Sequence, residues 1–173
     1  HMARSTRQLL GVAIAFILLT AGVLVVQSGL LATIDPPADD EYDRTTVALV
    51  DASGERLADI DVRIADTAEK RYLGLSATES LDAREGMLFV HDAEGQYAYV
   101  MRDMAFPLDI VFVAPDGTVT TIHHASLPPE GTSGADLTRY RGTGRYVLEL
   151  PRGTANETGL DAGDRVVIPD SVG

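Results

Sequence analysis

Residues 110–125 read IVFVAPDGTVTTIHHA, and this stretch decides the fold class. Ile110–Val113 is a continuous apolar run, which is typical of a β-strand that is buried on both faces. Asp116-Gly117 is a strong signal for a tight turn, and Thr118–Ala125 has the composition of a returning strand. The stretch therefore predicts a β-hairpin in the core of the protein.

Further segments with strand patterns lie on both sides of this hairpin. Thr45–Asp51 and Arg56–Ala65 alternate apolar and polar residues around Ser53-Gly54, and they predict an opening hairpin. Further strands are predicted at residues 86–90, 96–102, 145–150 and 165–168. A turn at 93–95 is predicted to reverse the chain between the first two of them. Many short strands separated by turns predict a mainly β domain, a small antiparallel β-sandwich or barrel.

One short helix, at about residues 67–74, interrupts the strands. Asp66 is a suitable N-cap with Glu69 three residues later, and Gly74 is a suitable end. Residues 127–144 contain four glycines and two prolines, so they predict a long irregular loop. A loop of that length inside a compact domain is usually functional or mobile.

The N-terminal part of the chain has a different character. Residues 9–31 are almost wholly apolar and uncharged, and a membrane-spanning helix needs roughly 20 such residues. A cleaved signal peptide is the alternative, but its apolar core usually has only about 7–15 residues. Arg4 and Arg7 precede the apolar run, so the positive-inside rule predicts a cytoplasmic N-terminus and a C-terminal domain outside the cell membrane.

These patterns divide the chain into four parts. Residues 1–34 are predicted to be an N-terminal tail and single-pass transmembrane anchor, 35–44 an acidic tether with prolines, 45–169 one mainly β domain, and 170–173 a C-terminal tail. From residue 35 onward the chain holds 12 basic and 26 acidic residues, a net charge of −14. Such a surface repels phosphates, which argues against nucleic acid as a partner, and it resembles the acidic surfaces of halophilic proteins.

Three charged residues stand within apolar patterns and are the first candidates for a functional site: Arg71, Asp109 and Glu149. Because an unpaired buried charge is costly, we expect Arg71 to form a structural ion pair with Asp109 or Glu149. The alternative is that Asp109 and Glu149 are catalytic carboxylates, since glycoside hydrolysis uses two of them around one sugar bond. We favour the ion pair over the catalytic pair.

Several other residues are weaker candidates. Met87, Met101 and His123 are interpreted as candidate pocket lining, with core packing as the alternative for the methionines. Asn156 begins an Asn-Glu-Thr glycosylation sequon. Ser126, a histidine and Asp109 would make a Ser-His-Asp set, but the sequence has no G-x-S-x-G elbow to support it.

Metal and cofactor motifs are missing from the sequence. It has no cysteine, which excludes disulfides and thiolate zinc sites, and it has neither a phosphate loop nor a dinucleotide-binding turn. His123 and His124 are neighbours in a strand and therefore point to opposite faces, so they cannot chelate one ion together. We predict neither a metal nor a cofactor.

Several motifs occur in an order that resembles a known family. They are RYLGL at 71–75, GMLF at 86–89, Met101, PLDI at 107–110 with Phe112, YVLELP at 146–151 with Gly153, and Gly163-Asp164. Over roughly residues 46–168 the chain resembles the uncharacterised protein family 0127, also called domain of unknown function 192. The resemblance implies a small, mainly β domain that is often exported or membrane-anchored, and it implies no established activity.

The chain departs from the pattern of that family at two places. Ser76 stands where the family commonly has Met after the Gly-Leu pair. Val100–Met104, which reads VMRDM, stands where the family commonly has Trp-Met-Lys-Asn-Thr. A site that depends on the indole, the amide and the hydroxyl group of those residues is therefore altered in this chain.

The sequence as a whole predicts a membrane-anchored, outward-facing domain that binds a protein or a glycan at the cell surface. This prediction depends on the anchor, the tether, the long loop and the lack of a convincing catalytic set, which favour a binding domain over an enzyme without excluding the enzyme. The alternative is a hydrolase of a cell-surface glycan or polymer that uses Asp109 and Glu149. A structural component of the cell envelope is the third hypothesis.

Overall fold

The computed structural model of this chain describes Ala38 and residues 41–173. The anchor predicted at 9–31 and most of the predicted tether lie outside these residues. Within the described part, no helix has both the length and the apolar character that crossing a membrane requires.

Seven strands form one curled sheet, which confirms the prediction of a mainly β domain. Along the chain they are β1 (Arg44–Val50), β2 (Arg56–Ala65), β3 (Glu85–Tyr99), β4 (Leu108–Val113), β5 (Val119–Ala125), β6 (Tyr140–Pro151) and β7 (Arg165–Val167). In space their order is β5-β4-β6-β3-β2-β1-β7. The paired strands are antiparallel, except that β2 and β3 run parallel because a short helix, α1 (Ala68–Leu73), and its loop connect them.

The two edge strands of the sheet meet at one end, so the sheet curls into a half-barrel. The Val119 N–H donates to the Asp164 carbonyl oxygen and the Gly163 N–H donates to the Val119 carbonyl oxygen, at 2.8 Å each. Thr118 and Arg165 add an isolated antiparallel bridge there. The sequence predicted a small antiparallel β-sandwich or barrel, and the structure shows one sheet that curls into a half-barrel. This curling covers part of the sheet edge that would otherwise expose unpaired backbone groups.

The hairpin predicted from residues 110–125 is confirmed as β4 and β5. Its turn contains Gly117 with a φ of 90°, a left-handed conformation that favours glycine. All residues of β4 are buried because the strand lies between β5 and β6 and both faces of the sheet are covered.

The buried apolar side chains form two clusters on the two faces of the sheet. The first cluster draws on all seven strands and includes Val111 and Leu148. The second cluster includes Met87, Phe89 and Phe112. Successive residues of one strand alternate between the clusters because their side chains point to opposite faces.

Strand β3 is one bent strand of 15 residues, whereas the sequence predicted two strands with a chain reversal at 93–95. Its pairing with β6 shifts register between Val90 and Gly95, which is a β-bulge that bends the strand and does not reverse it. Beyond the bulge, Gly95–Tyr99 pairs with Tyr140–Gly144 in a two-stranded ribbon. Residues 140–144 therefore belong to β6, and the irregular loop is shorter than predicted.

Gly142 and Gly144 allow this ribbon to lie directly against β4. A Cβ atom on Gly144 would lie 2.6 Å from the Val113 carbonyl oxygen, and one on Gly142 would overlap the ring of Phe112. Phe112 is fully buried, so its ring has no open space into which it can move.

We expect Gly142→Ala to lower the free energy of unfolding by about 3 kcal/mol, because overpacking of a filled core typically costs about 1–3 kcal/mol. Urea unfolding measures the change. Thr143→Ala is the control, since the Thr143 side chain is exposed, and it should change stability by only about 0.5 kcal/mol. A cost for Gly142→Ala as small as that of the control would contradict the close packing.

Two short α-helices and a 3-10 helix at Gly134–Asp136 complete the described part of the fold. Helix α1 (Ala68–Leu73) confirms the helix predicted at about 67–74. Its N-cap is Thr67, whose hydroxyl oxygen accepts from the Lys70 N–H, and not Asp66 as predicted. Helix α2 (Thr154–Thr158) was not predicted, and it carries Asn156, whose side chain is exposed.

Candidate functional site

A cavity of about 380 Å³ lies between α1, the bent strand β3 and β6. Most of its wall comes from α1 with the turn that follows it, from both halves of β3 and from the segment after β3. The residues of this wall include Arg71–Ser76, Phe89, His91, Tyr97–Val100, Arg102 and Met104. Glu149 of β6 completes the wall. We refer to this space as the Glu149 cavity.

Four of the sequence segments singled out above converge on the Glu149 cavity. All residues of RYLGL line it, together with Phe89 of GMLF and Glu149 of YVLELP. The altered stretch VMRDM contributes Val100, Arg102 and Met104. Segments that are far apart in the chain therefore meet in one place, which is typical of a binding site and not of isolated turns.

Glu149 is a buried carboxyl group in the wall of this cavity. The residue is only 5% exposed, and β6 places it opposite Met87 of β3 and Ile110 of β4. Within residues 41–173, no hydrogen bond or ion pair involves its carboxyl group. Since no fully buried side-chain oxygen of these residues lacks a hydrogen-bond partner, the carboxyl oxygens of Glu149 reach the open space of the cavity. Burial raises the pKa of Glu149 to about 8, because the ionised form would lose its hydration. At neutral pH the group is therefore mainly protonated and is able to donate a hydrogen bond.

Arg71 is held by backbone oxygen atoms and not by a carboxylate. Its Nη1 donates to the carbonyl oxygens of Asp66, at 2.7 Å, and of Val90, at 2.8 Å, which ties α1 to β3. Among the ion pairs of the described residues, none joins Arg71 to Asp109 or Glu149, so the predicted pair is not formed in this structure. The carbonyl oxygens of Asp66 and Val90 accept from Nη1 of the guanidinium group. Glu149 in turn avoids the cost of a buried charge because it keeps its proton.

Aromatic side chains form one side of the Glu149 cavity. The rings of His91 and Tyr97 are stacked, with centroids 3.6 Å apart and an interplanar angle of 9°. His91 Nε2 and the Tyr99 hydroxyl are hydrogen-bonded at 2.9 Å, and the Tyr99 ring packs edge-on against Phe89. Burial and the charge of Arg71 lower the pKa of His91, while burial and the Glu149 carboxylate raise the pKa of Tyr99. Both side chains are therefore neutral at pH 7.

Arg102 and Tyr72 form the outer rim of the cavity. The guanidinium carbon of Arg102 lies 4.1 Å from the centroid of the Tyr72 ring, and its Nη2 donates to the Tyr72 carbonyl oxygen. Tyr72 is 73% exposed, so this cation–π contact lies at the surface. No sequence motif singles out Arg102, His91 or Tyr99 as site residues, although the alternating aromatic residues of 96–102, which read QYAYVMR, were a usable signal for Tyr99.

Asp109 is fully buried, and it is satisfied by the start of α2 and by β5. Its Oδ1 is 2.6 Å from His124 Nδ1, and its Oδ2 accepts from the N–H groups of Gly153, at 3.1 Å, and Ala155, at 2.9 Å. Two members of the Ser-His-Asp set are thus in contact. Ser126 instead accepts a hydrogen bond from Arg152, and no hydrogen bond of the described chain joins it to His124.

The two candidate carboxylates point to opposite faces of the sheet. Asp109 is paired with Leu150, while Glu149 is paired with Ile110, and directly opposed residues share a face. Because Leu150 and Glu149 are consecutive, Asp109 and Glu149 are on different faces. A glycosidase needs both carboxyl groups around one sugar bond, so this geometry does not bring the proposed catalytic pair together.

The three candidate pocket residues lie elsewhere. Met87 is fully buried in the second cluster and does not line the Glu149 cavity. Met101 is also buried and lines a separate cavity of about 440 Å³ beside the loop at 126–139. His123 Nε2 donates to the Arg141 carbonyl oxygen at 2.7 Å, so this ring ties β5 to the ribbon.

The described part of the chain contains no candidate metal centre. No three His, Asp or Glu side chains of that part lie close enough together to hold an ion. The residues that line the Glu149 cavity offer hydrogen-bond donors, positive charge and aromatic surfaces.

Comparisons with known proteins place this chain among uncharacterised relatives. A family model described as "Uncharacterized ACR, COG1430" matches residues 48–168. A solved structure of a proposed transcription regulator from Sinorhizobium meliloti is similar, with a TM-score of 0.64 and 33% identity over 72% of this chain and 93% of that chain. A protein of unknown function from Novosphingobium aromaticivorans has a TM-score of 0.66 and 27% identity over 80% and 94%. Among curated proteins, none matches significantly.

Proposed function

Because this chain belongs to the uncharacterised DUF192 family, we propose its function from its own site: it is a ligand-binding domain with the Glu149 cavity as its binding site. The observation that carries this proposal is Glu149 itself, whose residue is only 5% exposed and whose carboxyl group faces the cavity without a hydrogen bond or ion pair to residues 41–173. Buried polar groups are normally hydrogen-bonded, so a group that lacks a partner at the edge of a cavity is suited to a ligand.

The form of the cavity supports binding of a small molecule or of one end of a glycan. Its volume of about 380 Å³ lies in the range of small-molecule sites, which is roughly 300–1,000 Å³. The aromatic side chains offer flat apolar surfaces, and Arg71, Arg102 and Glu149 offer hydrogen-bond donors. This combination favours a glycan over the protein partner that the sequence left open.

Catalysis by two carboxylates has no comparable support. Asp109 and Glu149 are on different faces of the sheet, and Asp109 is already bonded to three neighbouring groups. A binding role requires only the groups that line one cavity, and these groups are present.

We propose that the domain is tethered to the cell membrane and faces outward. The apolar run at 9–31, the preceding Arg4 and Arg7, and the acidic tether support this orientation. The net charge of −14 from residue 35 onward supports a solvated surface in a salty habitat. Protease added to intact cells should remove the domain, and full protection of the domain would overturn the orientation.

The role named for the Sinorhizobium relative is not part of this proposal. A transcription regulator that binds DNA directly needs basic groups for the phosphate backbone. This chain is strongly acidic beyond its N-terminal part, and its sequence contains only one lysine there.

Binding at the Glu149 cavity is tested with the full chain in detergent and a panel of mono- and disaccharides. At least one saccharide should raise the melting temperature, because a ligand that binds only the folded state stabilises it. Arg102→Ala should weaken that binding about tenfold, whereas Arg139→Ala, an exposed residue outside the cavity, should leave it unchanged. The proposal fails if no saccharide binds, or if Arg102→Ala and Arg139→Ala behave alike.

A further inference from the structure

We infer that the Glu149 cavity selects acidic sugars, which are ligands that carry a carboxylate on a saccharide ring. This inference rests on the proposed function and names the class of ligand for the same site. It follows from the charges in the wall, from the hydrogen-bond donors that have no partner, and from the shape of the aromatic side.

The charged groups in the wall are both positive at neutral pH. Arg71 and Arg102 are the cations, while burial keeps Glu149 protonated and His91 uncharged. The lining residues therefore add up to a positive site on a domain that is otherwise strongly acidic. A cationic ligand is repelled by such a wall, and an anionic ligand is attracted to it.

The donors that lack a partner suit a carboxylate in particular. The bonds from Nη1 of Arg71 to two carbonyl oxygens fix the guanidinium group, and no bond of the described residues uses its Nη2 or Nε. Arg102 is oriented by the ring and the carbonyl oxygen of Tyr72. A carboxylate offers about four acceptor positions, so it is able to accept from an arginine and from the O–H of Glu149 together.

The aromatic side of the cavity indicates that the anion is attached to a ring. The stacked rings of His91 and Tyr97, together with Tyr99 and Phe89, give an apolar surface beside the donors. A sugar ring has one face made mostly of C–H groups, which packs on such a surface. A bare inorganic anion would use the arginines but would leave this apolar surface in water.

The test is isothermal titration of the full chain in detergent at pH 7 with three probes: glucuronate, glucose and inorganic phosphate. Glucuronate should bind at least about tenfold tighter than either of the others, since it alone combines charge and ring. Arg102→Gln should lower the affinity for glucuronate to that for glucose. Arg139→Gln is the matched control, because it removes an exposed arginine outside the cavity, and it should have no effect.

A pH series tests the contribution of Glu149 separately. Between pH 7 and pH 9 Glu149 loses its proton, so it stops donating to the carboxylate and begins to repel it, and glucuronate affinity should fall about tenfold. Arg71, Arg102, His91, Tyr72, Tyr97 and Tyr99 face the same cavity. Glu149→Gln leaves all of these groups in place, so the fall in affinity should disappear in that variant.

The outcomes separate the two proposals. If glucose or phosphate binds as tightly as glucuronate and Arg102→Gln still weakens binding, the cavity is a binding site but the inference about acidic sugars is wrong. If glucuronate binds, Arg102→Gln does not weaken its binding and Glu149→Gln does not alter the pH dependence of the affinity, the ligand lies elsewhere and both proposals fail. If none of the probes and no saccharide of the panel binds, both also fail.

Discussion

Glu149→Gln is expected to raise the free energy of unfolding by about 4 kcal/mol at pH 8 and to change it little at pH 4. Glutamine resembles the protonated carboxyl group in size and polarity but cannot ionise. The variant therefore keeps the packing of the folded protein and removes the cost of a buried negative charge.

The sign follows from the two pKa values of the carboxyl group. In the folded protein the pKa is about 8, which lies above the ordinary value of 4.5. The unfolded chain loses the proton near pH 4.5, whereas the folded protein keeps it until about pH 8. The stability that Glu149 contributes is therefore fully present below pH 4.5, declines between pH 4.5 and 8, and stays at its low value above pH 8.

Urea unfolding at pH 4, 6 and 8 measures this effect as the difference between the wild type and Glu149→Gln. Taking the difference removes the opposite trend from His91, whose lowered pKa makes the folded state less stable at acidic pH. Glu130→Gln serves as the control because Glu130 is exposed in the loop at 126–139, and it should show no such trend. Parallel stability curves for the wild type and Glu149→Gln would show that Glu149 titrates normally.

Asp109→Ala is expected to lower the free energy of unfolding by about 3–5 kcal/mol at pH 7. The substitution removes the acceptor of two buried backbone N–H groups at the start of α2 and the partner of His124. Donors left unsatisfied in a buried position cost about 1–3 kcal/mol each, with losses that are not fully additive. Asp109→Asn should cost roughly half as much, because the amide oxygen still accepts from the backbone.

Hydrogen exchange locates the effect of these variants. In Asp109→Asn the amide protons of Gly153 and Ala155 should exchange faster, while saccharide affinity at the Glu149 cavity should stay the same. Asp170→Ala is the control, since Asp170 is exposed, and it should change stability by only about 0.5 kcal/mol. Unchanged stability of both Asp109 variants, combined with a loss of affinity, would instead make Asp109 part of the binding site.

The local parts of the fold were predictable from short stretches of sequence. The β4–β5 hairpin follows from an apolar run, an Asp-Gly turn and a β-rich return, all of which act between near neighbours. Helix α1 follows from the start signal at Asp66 and Glu69 and from Gly74 at its end, although the N-cap is Thr67, one residue later than predicted. The reversal predicted at 93–95 failed because a glycine-containing break in an alternating pattern also fits a bulge, and only pairing with β6 distinguishes the two.

The candidate site was predictable only in part. Glu149 was selected because a charge inside an apolar strand is costly, and the structure does place it in the wall of a cavity. The predicted ion pair with Arg71 is not formed, because the sequence does not show how far helix α1 lies from β6 or that backbone carbonyl oxygens bind Arg71. His91, Tyr99 and Arg102 were missed since each is unremarkable in sequence and matters only through its neighbours.

The sequence by itself determined the mainly β class, the central hairpin and the family, because these depend on alternation, turn residues and ordered motifs. The tertiary structure alone decided which charges meet. The pairing register of β4 with β6 sends Asp109 to one face of the sheet and Glu149 to the other. A shift of one residue in that register would have put both on one face, and no local pattern specifies the register of strands that are buried on both sides.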